Sequence, residues 1–136
     1  MIYTNSDGGA RGNPGEGAIG ALVRKDDSIL EMYSEKLGKV TNNVAEYKAL
    51  VKALELALKH TKDEVVCFLD SELVVKQLMG EYKVRHPTLL GYFKEVQKLQ
   101  DKFKRIEYVH APRTDNFQMI VDELVNEELD DKGYRK

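Results

Sequence analysis

The sequence predicts one α/β domain built on a mixed sheet, and three observations predict it. Two runs joined by Lys25-Asp26-Asp27-Ser28 read as an antiparallel hairpin; an apolar run, Val65 to Leu69, follows a helix-spaced segment; further helix-spaced segments alternate with strands to the end. The 136 residues, 42% hydrophobic and 32% charged, suffice for a single core and leave no room for a second folding unit. That domain is expected over residues 1–130, with 131–136 a short charged tail.

In order, Ile2 and Tyr3 open an extended segment expected to end at Asp7, where Gly8-Gly9-Ala10-Arg11-Gly12-Asn13-Pro14-Gly15 reads as a turn. Strands are expected over Ala18–Arg24 and Ile29–Lys36. Asn42-Asn43 can cap a helix reaching about His60, because Val44, Tyr47, Leu50, Val51, Leu54 and Leu58 recur at three- and four-residue spacing. The run Val65 to Leu69 is too short and too apolar for a surface helix. It reads as a buried strand, parallel to the first because a helix precedes it, and Asp70 finishes it. Ser71 can cap a short helix through Met79, and Pro87 precedes another that carries Leu90, Phe93, Val96, Leu99 and Phe103. Ile106–Val109 is a last strand, His110 to Asn116 a loop, and Ile120, Leu124, Val125 and Leu129 mark a terminal helix.

With 21 Lys and Arg against 23 Asp and Glu, the net charge of −2 does not advertise a nucleic-acid partner. The single Cys67, inside an apolar run, suits a buried thiol in a reducing compartment. No basic and apolar leader opens the chain, and no run approaches the ~20 apolar residues that span a bilayer. A cytoplasmic protein with no membrane partner is expected.

Chemistry first shows in position. Asp7 and Asp70 each end an expected central strand, where open α/β sheets bind ligands. Glu46 is expected in the first turn of the long helix and Asp122 in the final helix. Four carboxylates with no Cys or His cluster form an oxygen-only set, suited to Mg²⁺ or Mn²⁺ rather than zinc. Singly, each is explained as a turn former or a partner of a helix dipole. Converging, they repel strongly unless a cation neutralises them. The Gly-rich string lacks the Gly-Lys-Ser/Thr of a P-loop, and a strand follows it, which disfavours a P-loop enzyme. Its small residues instead let another backbone come close to Asp7.

The string Asp7 to Gly15 with Gly17, then Thr41-Asn42-Asn43-Val44-Ala45-Glu46-Tyr47, then Asp70-Ser71-Glu72-Leu73-Val74-Val75, resembles type 1 ribonuclease H (ribonuclease HI). The resemblance runs from the first strand to the last helix. It implies a ribonuclease H-like fold, a five-stranded mixed sheet with helices on both faces. It implies an endonuclease that hydrolyses the RNA strand of RNA–DNA hybrids to 5′-phosphate and 3′-hydroxyl ends with two divalent ions, Mg²⁺ or Mn²⁺. Residue by residue, it makes Asp7, Glu46 and Asp70 the first three metal-binding, catalytic carboxylates. It sets Gly8, Gly9, Ala10, Arg11, Asn13, Thr41, Asn42, Asn43 and Asn116 against the substrate. Amide side chains suit the 2′-hydroxyls and base edges of an A-like minor groove. Capping the helix and closing a turn remain open to Asn42 and Asn13 as well. Double-stranded RNA is a further expected substrate, and a monomer is expected.

The final motif departs from the family. His110, Arg113 and Asn116 match His-x-x-Arg-x-x-Asn, but the Asp due four residues later is Ile120, and the matching Asp-x-Leu-Val-Asn begins at Asp122. Two extra residues inside a helix turn Asp122 by about 200°. The slack is therefore expected before the helix, in Phe117 to Val121, leaving Asp122 as the fourth ligand, with Asp115 and Glu123 as fallbacks. His110 stands where the family often has a histidine that assists water attack or product departure. An imidazole there can shuttle protons at neutral pH, or it can simply cap a strand end.

From Lys76 to Arg105, eight basic residues (Lys76, Lys83, Arg85, Lys94, Lys98, Lys102, Lys104, Arg105) accompany three acids, Glu81, Glu95 and Asp101. Tracking of DNA-strand phosphates and a solvated helix face fit this block equally well. With no Trp and a short Met79 to Pro87 connection, the Trp-rich basic protrusion of well-known bacterial members is not expected. Two rivals stand beside the nuclease: a non-catalytic hybrid- or RNA-binding module, suggested by the shifted last motif, and another nuclease on the same fold. The Thr41-Asn42-Asn43 set and the Gly-rich string argue for hybrids.

Overall fold

The computed structural model describes residues 1–112 and 114–130. Among them the elements follow the expected order: strands β1 (Ile2–Gly12), β2 (Gly15–Lys25) and β3 (Ser28–Val40), helix α1 (Asn42–Ala57), strand β4 (Glu64–Leu69), helices α2 (Glu72–Leu78) and α3 (Pro87–Gln100), strand β5 (Arg105–His110) and helix α4 (Asn116–Asp130). The expected motif residue Arg113 and the charged segment 131–136 lie outside the described residues.

The strands make one five-stranded mixed sheet in the order β3-β2-β1-β4-β5. The β1–β2 and β2–β3 pairs are antiparallel, whereas β4 runs parallel to β1 and β5 parallel to β4. Side chains alternate across a strand, so β1 serves two layers. Its Gly8 lies under the start of α1, while Asn5 bonds to Gln118 of α4 on the other face. The main core fills the α1 side: Tyr47, Leu50 and Leu54 are fully buried among Val23, Val65, Leu69 and Val96. Each such side chain contributes at most about 1.5–3 kcal/mol. Cys67 is buried in the same cluster. No helix among the described residues is long and apolar enough to cross a membrane.

Several expected boundaries are corrected. β1 does not end at Asp7. Its parallel ladder with β4 stops at Ser6 opposite Leu69, but its antiparallel ladder with β2 continues from Asp7 opposite Gly20 to Gly12 opposite Gly15. The Gly-rich string is therefore mostly strand, and the turn is left to Asn13-Pro14, joined by a cis peptide bond. β2 and β3 likewise outrun their expected limits because they pair along their whole lengths. The cap of α1 is Thr41, whose hydroxyl accepts from the Val44 amide at 3.3 Å; Asn42 and Asn43 are the first helical residues, and Glu46 lies beyond the first turn. β5 takes in His110, expected in a loop. α4 begins at Asn116, capped by the Asp115 carboxylate, which accepts from the amides of Phe117 and Gln118 at 3.1 and 3.0 Å. The two extra residues are inside the helix, not ahead of it.

Candidate active site

Asp7, Glu46 and Asp70 each offer an oxygen within 4.8 Å of the other two. Pairing of Ser6 with Leu69 places the next residues, Asp7 and Asp70, side by side where the parallel ladder ends. Glu46 arrives from α1, and Gly8 lets it in. A Cβ on Gly8 would stand 2.2 Å from the Ala45 carbonyl oxygen and 2.7 Å from the Glu46 nitrogen. Without one, the Gly8 amide donates to Glu46 Oε1 at 3.1 Å. The close backbone approach expected near Asp7 is made here.

Asp7 and Glu46 are only 5% and 7% exposed. Burial, then the charges of Glu46 and Asp70, a hydrogen bond with Asp70 and the charge of Asp122 push the Asp7 carboxyl up from 3.8 to about 9. Crowded oxygen donors that drive one of their number to hold a proton fit a hard divalent cation, and no His or Cys belongs to this trio to favour zinc.

Asp122 stands outside the trio but on the same cavity, about 260 Å³, which it lines with Asp7, Glu46, residues 8–11 and Asn42. The early start of α4 has not turned it away. Asn126, one turn on, reaches Asp122 Oδ2 at 3.5 Å. Of the fallbacks, Asp115 is engaged as the α4 cap, and Glu123 is exposed on a neighbouring groove.

Two of the amides expected at the substrate, Asn13 and Asn42, are joined into one ladder. Asn13 Oδ1 accepts from the Asn42 backbone at 2.9 Å, and Asn42 Oδ1 accepts from the Ala10 backbone at 3.2 Å, tying the β1–β2 hairpin to the start of α1. Thr41 caps that helix and Asn43 is half-buried beside it. Arg11 pairs with Asp130 at the far end of α4. His110 is exposed, with Nε2 3.2 Å from the Asp70 carbonyl oxygen. Asn116 lines the neighbouring groove with Asp122 and Asn126.

The residues that seat α4 were not anticipated. A Cβ on Gly20 would meet the Val121 carbonyl oxygen at 2.7 Å, so helix backbone rests directly on β2. Asn5, Arg24 and Gln118 are buried polar side chains linked beneath the helix. Polar residues inside otherwise apolar spacing were the available signal, since such groups are buried only with partners.

A family model described as reverse transcriptase-like matches residues 5–127. The bifunctional protein Rv2228c of Mycobacterium tuberculosis is 40% identical over 131 residues, covering 95% of this chain and 35% of that protein. The chain thus spans about a third of the length of that relative. The ribonuclease HI of Halobacterium salinarum is 38% identical over 131 residues, covering 96% of this chain and 65% of that protein. Among solved structures, LC11-RNase H1 in complex with an RNA/DNA hybrid is 40% identical with a TM-score of 0.87, covering 96% of this chain and 97% of that one.

Proposed function

Because the chain belongs to the ribonuclease HI family, we propose that it is an endonuclease that hydrolyses the RNA strand of RNA–DNA hybrids to 5′-phosphate and 3′-hydroxyl ends. The observation that carries this reading is the convergence of Asp7, Glu46 and Asp70 within 4.8 Å beside a cavity rimmed by residues 8–11 and Asn42.

Asp7, Glu46, Asp70 and Asp122 would hold two divalent ions, Mg²⁺ or Mn²⁺, which would supply a more acidic water and positive charge beside the departing 3′ oxygen. The carboxylates fix the ions and do not themselves attack. The backbone at Gly8, Gly9 and Ala10 lets the RNA strand come close. Since the side-chain oxygens of Asn13 and Asn42 accept from backbone amides, their NH₂ groups are the parts left to donate to 2′-oxygens and base-edge acceptors. Asn43, Thr41, Arg11 and Asn116 extend that surface. His110, tethered to the Asp70 carbonyl, moves a proton at the rim.

An A-like minor groove is also displayed by double-stranded RNA, which supports it as a lesser substrate. The buried, unpaired thiol of Cys67 suits the reducing cytoplasm.

Incubating the protein with matched hybrid, RNA duplex and DNA duplex, in Mg²⁺, Mn²⁺ or chelator, tests the reading. Hybrid is cut with either metal, chelator stops it, and DNA duplex survives. Cleavage of none of the three overturns the reading in favour of a binding module.

A further inference from the structure

Helix α4 is laid along β1 in a single register. Odd-numbered residues of β1 meet it in turn: Asn5 Nδ2 donates to Gln118 Oε1 at 3.1 Å, a Cβ on Gly9 would lie 3.8 Å from Val125 Cγ1, and Arg11 pairs with Asp130. From Gln118 to Asp130 a helix rises about 18 Å, and from Asn5 to Arg11 a strand spans about 20 Å, so the two keep pace. Asp122 follows Gln118 by about 6 Å along that axis, the length of about two strand residues past Asn5. That is the level of Asp7.

Gln118 is the side chain that selects this register. It is wholly buried, and both ends of its amide are engaged, because Nε2 also donates at 2.8 Å to the carbonyl of Ser6, next to Asp7. Behind it, Asn5 Oδ1 accepts from Arg24 Nε at 3.1 Å, and the Arg24 guanidinium lies 4.1 Å from the centre of the Phe117 ring. A slip of one helical turn, about 5.4 Å, breaks every one of these contacts and leaves buried amides unsatisfied. The two additional residues between Asn116 and Asp122 fall in the turn that Phe117 and Gln118 anchor.

We propose that Gln118 is a positioning residue of the catalytic centre: through Asn5 and Ser6 it sets the axial register of α4 and so holds Asp122 level with Asp7. This rests on the reading of Asp122 as the fourth cation-binding acid.

The test compares the full chain with Gln118→Met, Asp122→Asn and the double variant. Two quantities are followed, the rise in Tm on adding Mn²⁺ and the Mn²⁺ concentration giving half-maximal cleavage, with Tm in chelator as the control for folding. Gln118→Met is expected to raise the half-point about tenfold, the loss typical when support for a metal ligand is removed, and to shrink the Mn²⁺-induced rise in Tm. The KM for hybrid stays unchanged, and Gln118→Met adds nothing in the Asp122→Asn background. An unchanged Mn²⁺ response in folded Gln118→Met, or losses that simply add in the double variant, overturn the proposal while leaving Asp122 its role. An unchanged response in Asp122→Asn overturns that role and the proposal with it. Should Gln118→Met not fold, Asn5→Ser enters the same cycle. A raised half-point that vanishes in the Asp122→Asn background supports the register, and an unmoved one overturns it.

Discussion

The backbone of Gly8 lies so close to that of Ala45 that a Cβ at position 8 would stand 2.2 Å from the Ala45 carbonyl oxygen. This approach lets a strand acid, Asp7, and a helix acid, Glu46, share one site. Gly8→Ala must push α1 off the strand, and such overpacking costs roughly 1–3 kcal/mol. A displacement on the order of 1 Å at the converging acids is expected to lower turnover about 100-fold. Gly91→Ala, on the exposed side of α3, is the control, since its Cβ would meet nothing within 4 Å. Thermal unfolding and hybrid cleavage of the two variants are expected to part in this way.

Asp70→Asn removes a charge from the trio without removing volume. Cleavage is expected to fall by ~1,000-fold or more, the size of several kcal/mol of lost charge stabilisation, while the circular dichroism spectrum and Tm in chelator are retained. Near-normal turnover by the folded variant contradicts the assignment.

Asp7 makes the metal-free protein sensitive to pH in an unusual direction. Its carboxyl is raised from 3.8 to about 9 by burial first and neighbouring acids second. Between those values the folded chain keeps a proton that the unfolded chain releases, so stability falls as pH rises. In chelator, Tm should therefore drop between pH 5 and pH 8, part of the drop should vanish in Asp7→Asn, and that variant should be the more stable at pH 8. Mn²⁺ at pH 8 should raise the Tm of the wild type and not of the variant. A chelated wild type whose Tm difference between the two pH values matches that of Asp7→Asn counts against the crowded arrangement.

Lys83 and Arg85 lie exposed in the short connection between α2 and α3, and Lys94 and Lys98 are exposed along α3. If these residues track phosphates, the logarithm of hybrid affinity falls linearly with the logarithm of salt, and each neutralised contact lowers that slope by about 1. Lys83→Ala with Arg85→Ala should then flatten the slope by roughly two and leave kcat at saturating hybrid unchanged. An unaltered slope assigns the pair to solvent.

Much of the site was legible because the motifs are local. Asp7, Glu46 and Asp70 each sit in a distinctive string, and periodicity placed each string on its element. What escaped were facts about partners. Asp7 looked like a strand end because glycines follow it, yet β2 carries the ladder five residues further, to Gly12 opposite Gly15. Asn42 looked like the α1 cap, but its side chain is taken by Ala10, and Thr41 does the capping.

By itself the sequence determined the order of the elements, the mixed sheet and the chemical character of the site, since spacing, turn chemistry and oxygen-only donors are written in consecutive residues. Only the tertiary structure decided where Asp122 faces. Two extra residues inside a helix ought to have rotated it away, and it remains on the cavity with Asp7 because Phe117 and Gln118 find Arg24, Asn5 and Ser6 across the sheet. The satisfaction of a buried amide is a property of groups more than a hundred residues apart, and no local period records it.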